Sequence, residues 1–325
     1  MKKIIITGVA GFIGHAVAKN AIAEGYSVVG IDNLSGDKEI RDLKDYRLKQ
    51  LTTTPNFEFI KADILTDPLE DLITDNEFVS VIHLAALAGV RKSMKEPTQY
   101  INNNIVGFVN ILDFARTYNI RKVIYASSSS VYGDNINTEG NGLKEDDNTE
   151  NPKSVYAVTK KTDELLAYVY SQSYNITTIG LRLFSVYGPC GRPDMAPWLF
   201  AKSIISDKQA ILYNNGRMKR DFTYIDDVAQ IIVNLINEPC KKKSDILNIG
   251  ASEPHSIIEL YNIISKHLKK NGRYTFEEAP IGDVHYTCAN NKKLKSMFPD
   301  FHFTSLDDGL FHFCQWFRTY YEYNN

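Results

Sequence analysis

Short, unbroken apolar runs alternate along the first half of the chain with longer segments whose apolar residues recur every three to four positions. The short runs predict strands buried on both faces, and such strands occur in parallel sheets covered by crossover helices. They place strands at Lys3 to Thr7, Ser27 to Asp32, Phe57 to Ala62, Ser80 to Ala85, Lys122 to Ala126, Thr178 to Leu183 and Asp245 to Ile249. The longer spacing predicts amphipathic helices over Gly14 to Glu24, Gln99 to Tyr118 and Ser154 to Ser173, with Gly25 where the first stops. Together these predict an α/β fold built on a doubly wound parallel sheet. After Leu183 the regularity breaks into a Pro- and Gly-punctuated stretch, Tyr187 to Pro197, and the last part of the chain is mixed and rich in Tyr and Phe. That shift predicts a smaller C-terminal substrate-binding lobe made of 184–221 and 251–325. The sheet domain is then 1–183, rejoined by about 222–250.

With 325 residues and 43% hydrophobic content, the chain can bury a substantial core. Its 37 basic and 39 acidic residues leave no positive surplus for a polyanion, so no nucleic-acid partner is expected. The apolar stretch Ile4 to Ile13 is interrupted by Thr7, Gly8 and Gly11, which suits neither a signal peptide nor a membrane span. A cytoplasmic protein without a membrane partner is the expectation. Cys190, Cys240, Cys288 and Cys314 lie too far apart for a metal site or a disulfide framework.

The first strand runs into Thr7-Gly8-Val9-Ala10-Gly11-Phe12-Ile13-Gly14 and then a helix. Glycines at those places allow a sharp turn and let a pyrophosphate approach the backbone. The helix offers unpaired N–H groups and the positive end of its dipole. Asp32 closes the second strand at the spacing where a carboxylate accepts hydrogen bonds from adenosine ribose hydroxyls, which favours NAD over NADP. This is a Rossmann-type dinucleotide site, with Gly8, Gly11, Phe12, Ile13, Gly14, Asp32 and Asn33 as its first contacts. Asp63 and Ile64 follow the third strand, where Asp63 is equally readable as an adenine contact or a helix cap. Ala85 and Ala86 are small residues after the fourth strand, where the backbone passes close to a flat ligand.

Tyr156 and Lys160 are four residues apart at the start of a predicted helix and so share one face. Free tyrosine titrates near 10; a neighbouring ammonium and a positively charged nicotinamide both favour its phenolate, the form that acts as a base. The run Ser127-Ser128-Ser129-Ser130 follows the fifth strand and offers a hydroxyl at the same sheet edge, although serines there also serve as loop formers. Gly8, Gly11, Gly14, Asp32, the serine run and the Tyr156/Lys160 pair, in this order and spacing over nearly the whole chain, resemble the extended short-chain dehydrogenase/reductase family. The resemblance implies a catalytic triad of Ser128, Tyr156 and Lys160. Tyr156 would act as acid and base, Lys160 would hold the nicotinamide ribose, and Ser128 would orient the sugar hydroxyl.

Gly216 to Asp227 resembles the stretch by which this family holds a nucleotide diphosphate sugar, and it offers Arg220 to the pyrophosphate. Asp283 resembles a later contact to the nucleoside. Asp226 and Asp227 open a predicted helix and are read as cap charges, so no metal is expected. Tyr187 to Ala196 and Ala88 to Ser93 resemble the UDP-glucuronate 4-epimerase branch. A sugar carboxylate removed from water must be re-paired, and Arg91, Arg192, Ser129 and Ser185 are the candidates, with ordinary surface ion pairing as the alternative for both arginines. The resemblance implies NAD-dependent epimerisation at carbon 4 of a UDP-sugar through a transient 4-keto intermediate, most readily UDP-glucuronate to UDP-galacturonate, by a homodimer serving polysaccharide biosynthesis. A UDP-glucose or UDP-N-acetylhexosamine 4-epimerase, a UDP-glucuronate decarboxylase and a non-catalytic NAD-binding protein are the alternatives. Cys190 and Pro197-Trp198 depart from the branch's usual residues.

Overall fold

The unbroken apolar runs become neighbours in one sheet, because each must be covered on both faces. The computed structural model describes residues 1–73, 77–134, 142–278 and 284–324, which divide into two units. The first unit holds 1–134, 145–183 and 228–247, and the second holds 142–144, 184–227 and 248 onward.

Along the chain the first unit runs β1 (Lys3–Thr7), α1 (Phe12–Ala23), β2 (Ser27–Asp32), α2 (Lys38–Leu51), β3 (Phe57–Lys61), α3 (Leu69–Leu72), β4 (Phe78–His83), α4 (Val90–Lys95) and α5 (Pro97–Tyr100). A π-helical turn (Ile101–Val106) leads into α6 (Gly107–Thr117), then β5 (Lys122–Ser128), a 3-10 turn (Ser129–Tyr132), α7 (Val155–Ser173) and β6 (Thr177–Leu183). The second unit begins with β7 (Ser185–Tyr187), α8 (Ala196–Ile205), β8 (Gln209–Tyr213) and β9 (Lys219–Tyr224). α9 (Ile225–Asn237) and β10 (Ser244–Ile249) lead back to the sheet, and β11 (Pro254–Ser256), α10 (Ile257–Leu268), β12 (Arg273–Glu277), α11 (Lys292–Met297) and α12 (Leu306–Asn324) complete the chain.

The large sheet has the order β3-β2-β1-β4-β5-β6-β10, and β1 to β6 pair in parallel. This is the α/β doubly wound arrangement that the alternating pattern predicts. Chain order reverses between β1 and β4, the place where such sheets bind ligands beyond the carboxyl ends of their strands. Register aligns those ends: Thr7 lies beside Ile31 and His83, and Ser128 beside Leu183. Ile5, Val81, Val123, Phe108, Ile111 and Leu112 are fully buried between sheet and helices.

One predicted helix is interrupted. The periodicity over Gln99 to Tyr118 predicts a continuous α-helix, whereas Ile101–Val106 is wound as a π turn. The wider turn accompanies buried Asn104, whose side chain accepts from Leu87 N–H at 2.8 Å and donates to Leu87 C=O at 3.0 Å and to Thr159 Oγ1 at 3.0 Å. It thereby ties the loop after β4 to α7. π turns inside helices often mark functional sites.

In the second unit, β9 pairs with β7 and antiparallel with β11, and β8 pairs with β12. Residues 222–227 therefore lie in the second unit, where the sequence pattern assigned them to the sheet domain. Here α8, α10 and α12 pack together, with Trp198, Phe313, Phe317 and Tyr320 buried. Among the described residues no helix is long and apolar enough to cross a membrane.

Candidate active site

The loop between β1 and α1 is shaped by what cannot be there. Gly8 has φ +70°, and a Cβ on it would stand 2.7 Å from Ala85 N; one on Gly14 would stand 2.1 Å from Gly8 C=O. No side chain fits at either place. Gly8 and Val9 N–H donate to Ile31 C=O at 2.7 and 3.2 Å, binding the loop to the end of β2. At the start of α1 no side chain caps the helix and the first turn carries no acid, so Phe12, Ile13 and Gly14 offer an unneutralised positive helix end. Bare backbone beside a helix N-terminus is the cradle a pyrophosphate requires, and these residues fit a dinucleotide.

Asp32 stands beside this loop, buried, and is more heavily engaged than its spacing suggests. One carboxylate oxygen accepts from Leu34 N–H and Lys44 Nζ, each at 2.8 Å, and the other accepts from Ala10 N–H at 3.2 Å. Arg47, also buried, donates to Ala10 C=O at 3.0 Å, so the backbone of Ala10 is held at both its N–H and its C=O. Lys44 and Arg47 were not singled out by sequence reasoning. Their spacing of three on a polar helix puts them on one face of α2, which is the signal that was available. Gly8, Asp32, Asn33, Ile64, Ala85 and Ala86 line one cleft together with Lys44 and Asn103. Asp63 accepts from Asn33 Nδ2 and from Leu65 N–H, both at 2.9 Å, so its carboxylate braces this wall and caps its own turn.

The triad candidates come from adjoining elements of the same unit. Ser128 ends β5, and its hydroxyl accepts from Ser130 N–H at 3.1 Å, which opens the 3-10 turn carrying Ser129. Ser154 caps α7 through Ala157 N–H at 3.1 Å, fixing the first turn, on which Tyr156 stands half-buried. The Tyr156 ring meets Tyr100 edge-on, with centroids 6.4 Å apart. α7 packs against both β5 and the 3-10 turn, which brings the serine-bearing and tyrosine-bearing segments together.

Lys160 is almost wholly buried and lies 3.1 Å from Asp163 Oδ2. Burial pushes Asp163 up to about 6, although Lys160 pulls it the other way. His83 is a core residue: Thr7 Oγ1 lies 2.8 Å from its Nδ1, its ring stacks on Phe108, and burial pushes it down to about 3, which keeps it neutral.

In the second unit, Ser185 is half-buried on β7 beside Phe222. Arg192 forms a two-pronged pair with Asp194, at 3.0 and 2.6 Å, and Arg220 on β9 donates to Lys219 C=O at 3.0 Å. In the first unit, Arg91 is exposed on the opening turn of α4. Asp283 lies outside the described residues. No metal-holding group of His, Cys, Asp or Glu occurs among the described residues.

Known proteins match this chain over nearly its whole length. Protein CapI of Staphylococcus aureus is 40% identical, over 98% of this chain and 99% of its own. A UDP-glucuronate 4-epimerase of Thermodesulfobacterium geofontis is 35% identical over 96% and 95%. The crystal structure of UDP-glucuronic acid 4-epimerase from Bacillus cereus, in complex with UDP-glucuronic acid and NAD, is similar with a TM-score of 0.90 and 34% identity over 98% and 100%. With residues 4–250 also matching its family model, the chain belongs to the NAD dependent epimerase/dehydratase family.

Proposed function

We propose that this protein is an NAD-dependent UDP-glucuronate 4-epimerase that forms UDP-galacturonate through a transient 4-keto sugar. The observation that carries this reading is the full-length likeness to an enzyme captured with UDP-glucuronic acid and NAD, in a chain that keeps Ser128, Tyr156 and Lys160. NAD bound in the glycine-lined cleft would supply the hydride acceptor and donor for carbon 4. Ser128 orients the 4-hydroxyl, and Tyr156 removes its proton and returns it to the same oxygen after the ketone has turned, so that hydride on its other face would leave carbon 4 inverted. Lys160 holds the nicotinamide ribose and supports the phenolate with its charge. Arg220 takes the pyrophosphate and Asp283 the nucleoside, while Ser129, Ser185, Arg91 and Arg192 take the sugar carboxylate.

Firm hold on that carboxylate has a chemical purpose. With a ketone on carbon 4, the carboxylate on carbon 5 makes a β-keto acid, which loses carbon dioxide when the breaking bond aligns with the carbonyl. An epimerase must keep the two out of alignment. Incubation with UDP-glucuronate and no added NAD is expected to give UDP-galacturonate, because a cofactor regenerated each turnover stays with the protein. UDP-pentose with carbon dioxide as the main product would favour a decarboxylase instead, and no turnover of any UDP-hexose would leave only a binding protein.

Arg192 gives a second test. Its fork to Asp194 is partly exposed, so Asp194 can return to water when a substrate carboxylate satisfies the same two donors. Arg192→Gln is expected to raise KM for UDP-glucuronate by roughly 10- to 100-fold, from the loss of a charged bidentate contact, and to increase carbon dioxide release per turnover. An unchanged KM and product ratio would remove Arg192 from the carboxylate site.

We infer further that the enzyme is a cytoplasmic homodimer serving polysaccharide biosynthesis. Val158, Leu165, Tyr168 and Val169 are exposed on α7, as are Met94, Ile101 and Val106 on the segments preceding α6. Apolar surface of this kind is what a two-fold helical interface covers. Leu165→Lys with Tyr168→Lys is expected to yield monomers in sedimentation analysis, and an unaltered mass would place any interface elsewhere.

A further inference from the structure

Behind the serine-bearing turn lies an ion pair that the chemistry above does not use. Arg182 on β6 and Glu164 on α7 have side chains only 3% and 5% exposed. Arg182 Nε donates to one Glu164 oxygen at 2.8 Å and Nη2 to the other at 2.9 Å, a parallel fork. The first of those oxygens also accepts from Ser127 Oγ at 2.7 Å. Arg182 Nη1 donates to Glu145 C=O at 2.9 Å, and the guanidinium carbon lies 4.7 Å from the centre of the Tyr132 ring.

One cation and one carboxylate therefore fasten four further pieces of the first unit to β6, which carries Arg182. These are β5 at the residue before Ser128, the 3-10 turn through Tyr132, the chain at Glu145, and α7 one turn beyond Lys160. Tyr156, Lys160 and Glu164 recur every four residues and form one stripe on α7. Buried ion pairs are often matched in stability by apolar residues of similar volume, so stability alone is a poor reason for this one. A rigid planar fork supplies fixed geometry instead. Geometry matters here because the hydroxyl that orients the substrate comes from the strand, while the proton acceptor comes from the helix. A misplacement of about 1 Å between reacting groups costs on the order of 100-fold in rate.

We propose that Arg182 and Glu164 are positioning residues, whose fork sets the Ser128 strand end and its turn in register with the Tyr156/Lys160 face of α7. The proposal rests on the epimerase reading. It is tested with purified full-length protein carrying Arg182→Met and Glu164→Leu together, a change that leaves no buried charge unpaired. This variant is expected to melt near the wild-type temperature, to keep its NAD and to hold KM for UDP-glucuronate within about threefold, while kcat falls about 100-fold. Arg182→Lys keeps the charge but loses the fork, and is expected to lower kcat about 10-fold, again at unchanged KM. A folded double variant with wild-type kcat would overturn the proposal. So would a fall in melting temperature with full activity per folded molecule. If the double variant does not fold, Arg182→Lys decides on the same terms; if neither folds, the pair is a folding element and the proposal falls. A wild-type protein that turns over no UDP-hexose would overturn the activity reading itself, a result distinct from a variant that equals an active wild type.

Discussion

Tyr156→Phe is expected to abolish epimerisation while leaving NAD bound. The substitution removes one oxygen and keeps the ring that packs edge-on against Tyr100. The Ser154 cap and the first turn of α7 are backbone features that it does not touch. The glycine loop, Asp32 and Lys44 lie on other elements, so the dinucleotide cleft stays intact. What disappears is the only group proposed to take and return the proton on the 4-hydroxyl. A positioned acid or base contributes about 10²- to 10⁴-fold, and here one residue serves in both directions, so the loss falls at the upper end of that range. The check is kcat with UDP-glucuronate together with the NAD released on denaturing the purified variant. Activity within tenfold of wild type would remove Tyr156 from the chemistry. Loss of NAD along with activity would assign it to binding.

Most of the large sheet was legible because strands buried on both faces leave unbroken apolar runs. β5 runs two residues past its predicted end, since Ser127 and Ser128 keep the ladder with Arg182 and Leu183 although they are polar. α2 escaped notice because its inward face mixes charge with its leucines: Arg47 is buried along with Leu43, Leu48 and Leu51, and Lys44 turns to Asp32, which dilutes the apolar stripe that announces a helix. The fork between Glu164 and Arg182 was hidden for the same reason: a charged residue read from sequence is assigned to the surface, and only a partner distant in the chain allows its burial. The second unit was the least legible. Its small sheets join β7, β9 and β11, whose pairing depends on contacts remote in sequence. The glycine loop was readable because its constraints act within a few residues.

Lys160→Met is expected to remove both activity and stability, and the two losses can be separated. Lys160 and Asp163 are 2% and 1% exposed, so removing the ammonium leaves a buried carboxylate without its cation. Breaking a buried pair in this way costs about 3–5 kcal/mol. The pH dependence carries a definite sign. Burial already raises Asp163 from its ordinary 3.8 to about 6 in the presence of Lys160. Its contribution to stability is therefore fully present below 3.8 and is lost as pH rises through 6. Without Lys160 the opposing pull is gone, the group holds its proton to higher pH, and the gap between variant and wild type widens from about pH 5 to about pH 8. Urea unfolding at both ends of that range measures it, and a gap that narrows with rising pH would show that Asp163 is not the source. Adding Asp163→Asn to Lys160→Met removes the stranded charge and should restore most of the stability, but not turnover, because the nicotinamide ribose and the phenolate still lack their cation. If the double variant recovers activity with stability, Lys160 is a partner for Asp163 and not a member of the catalytic triad.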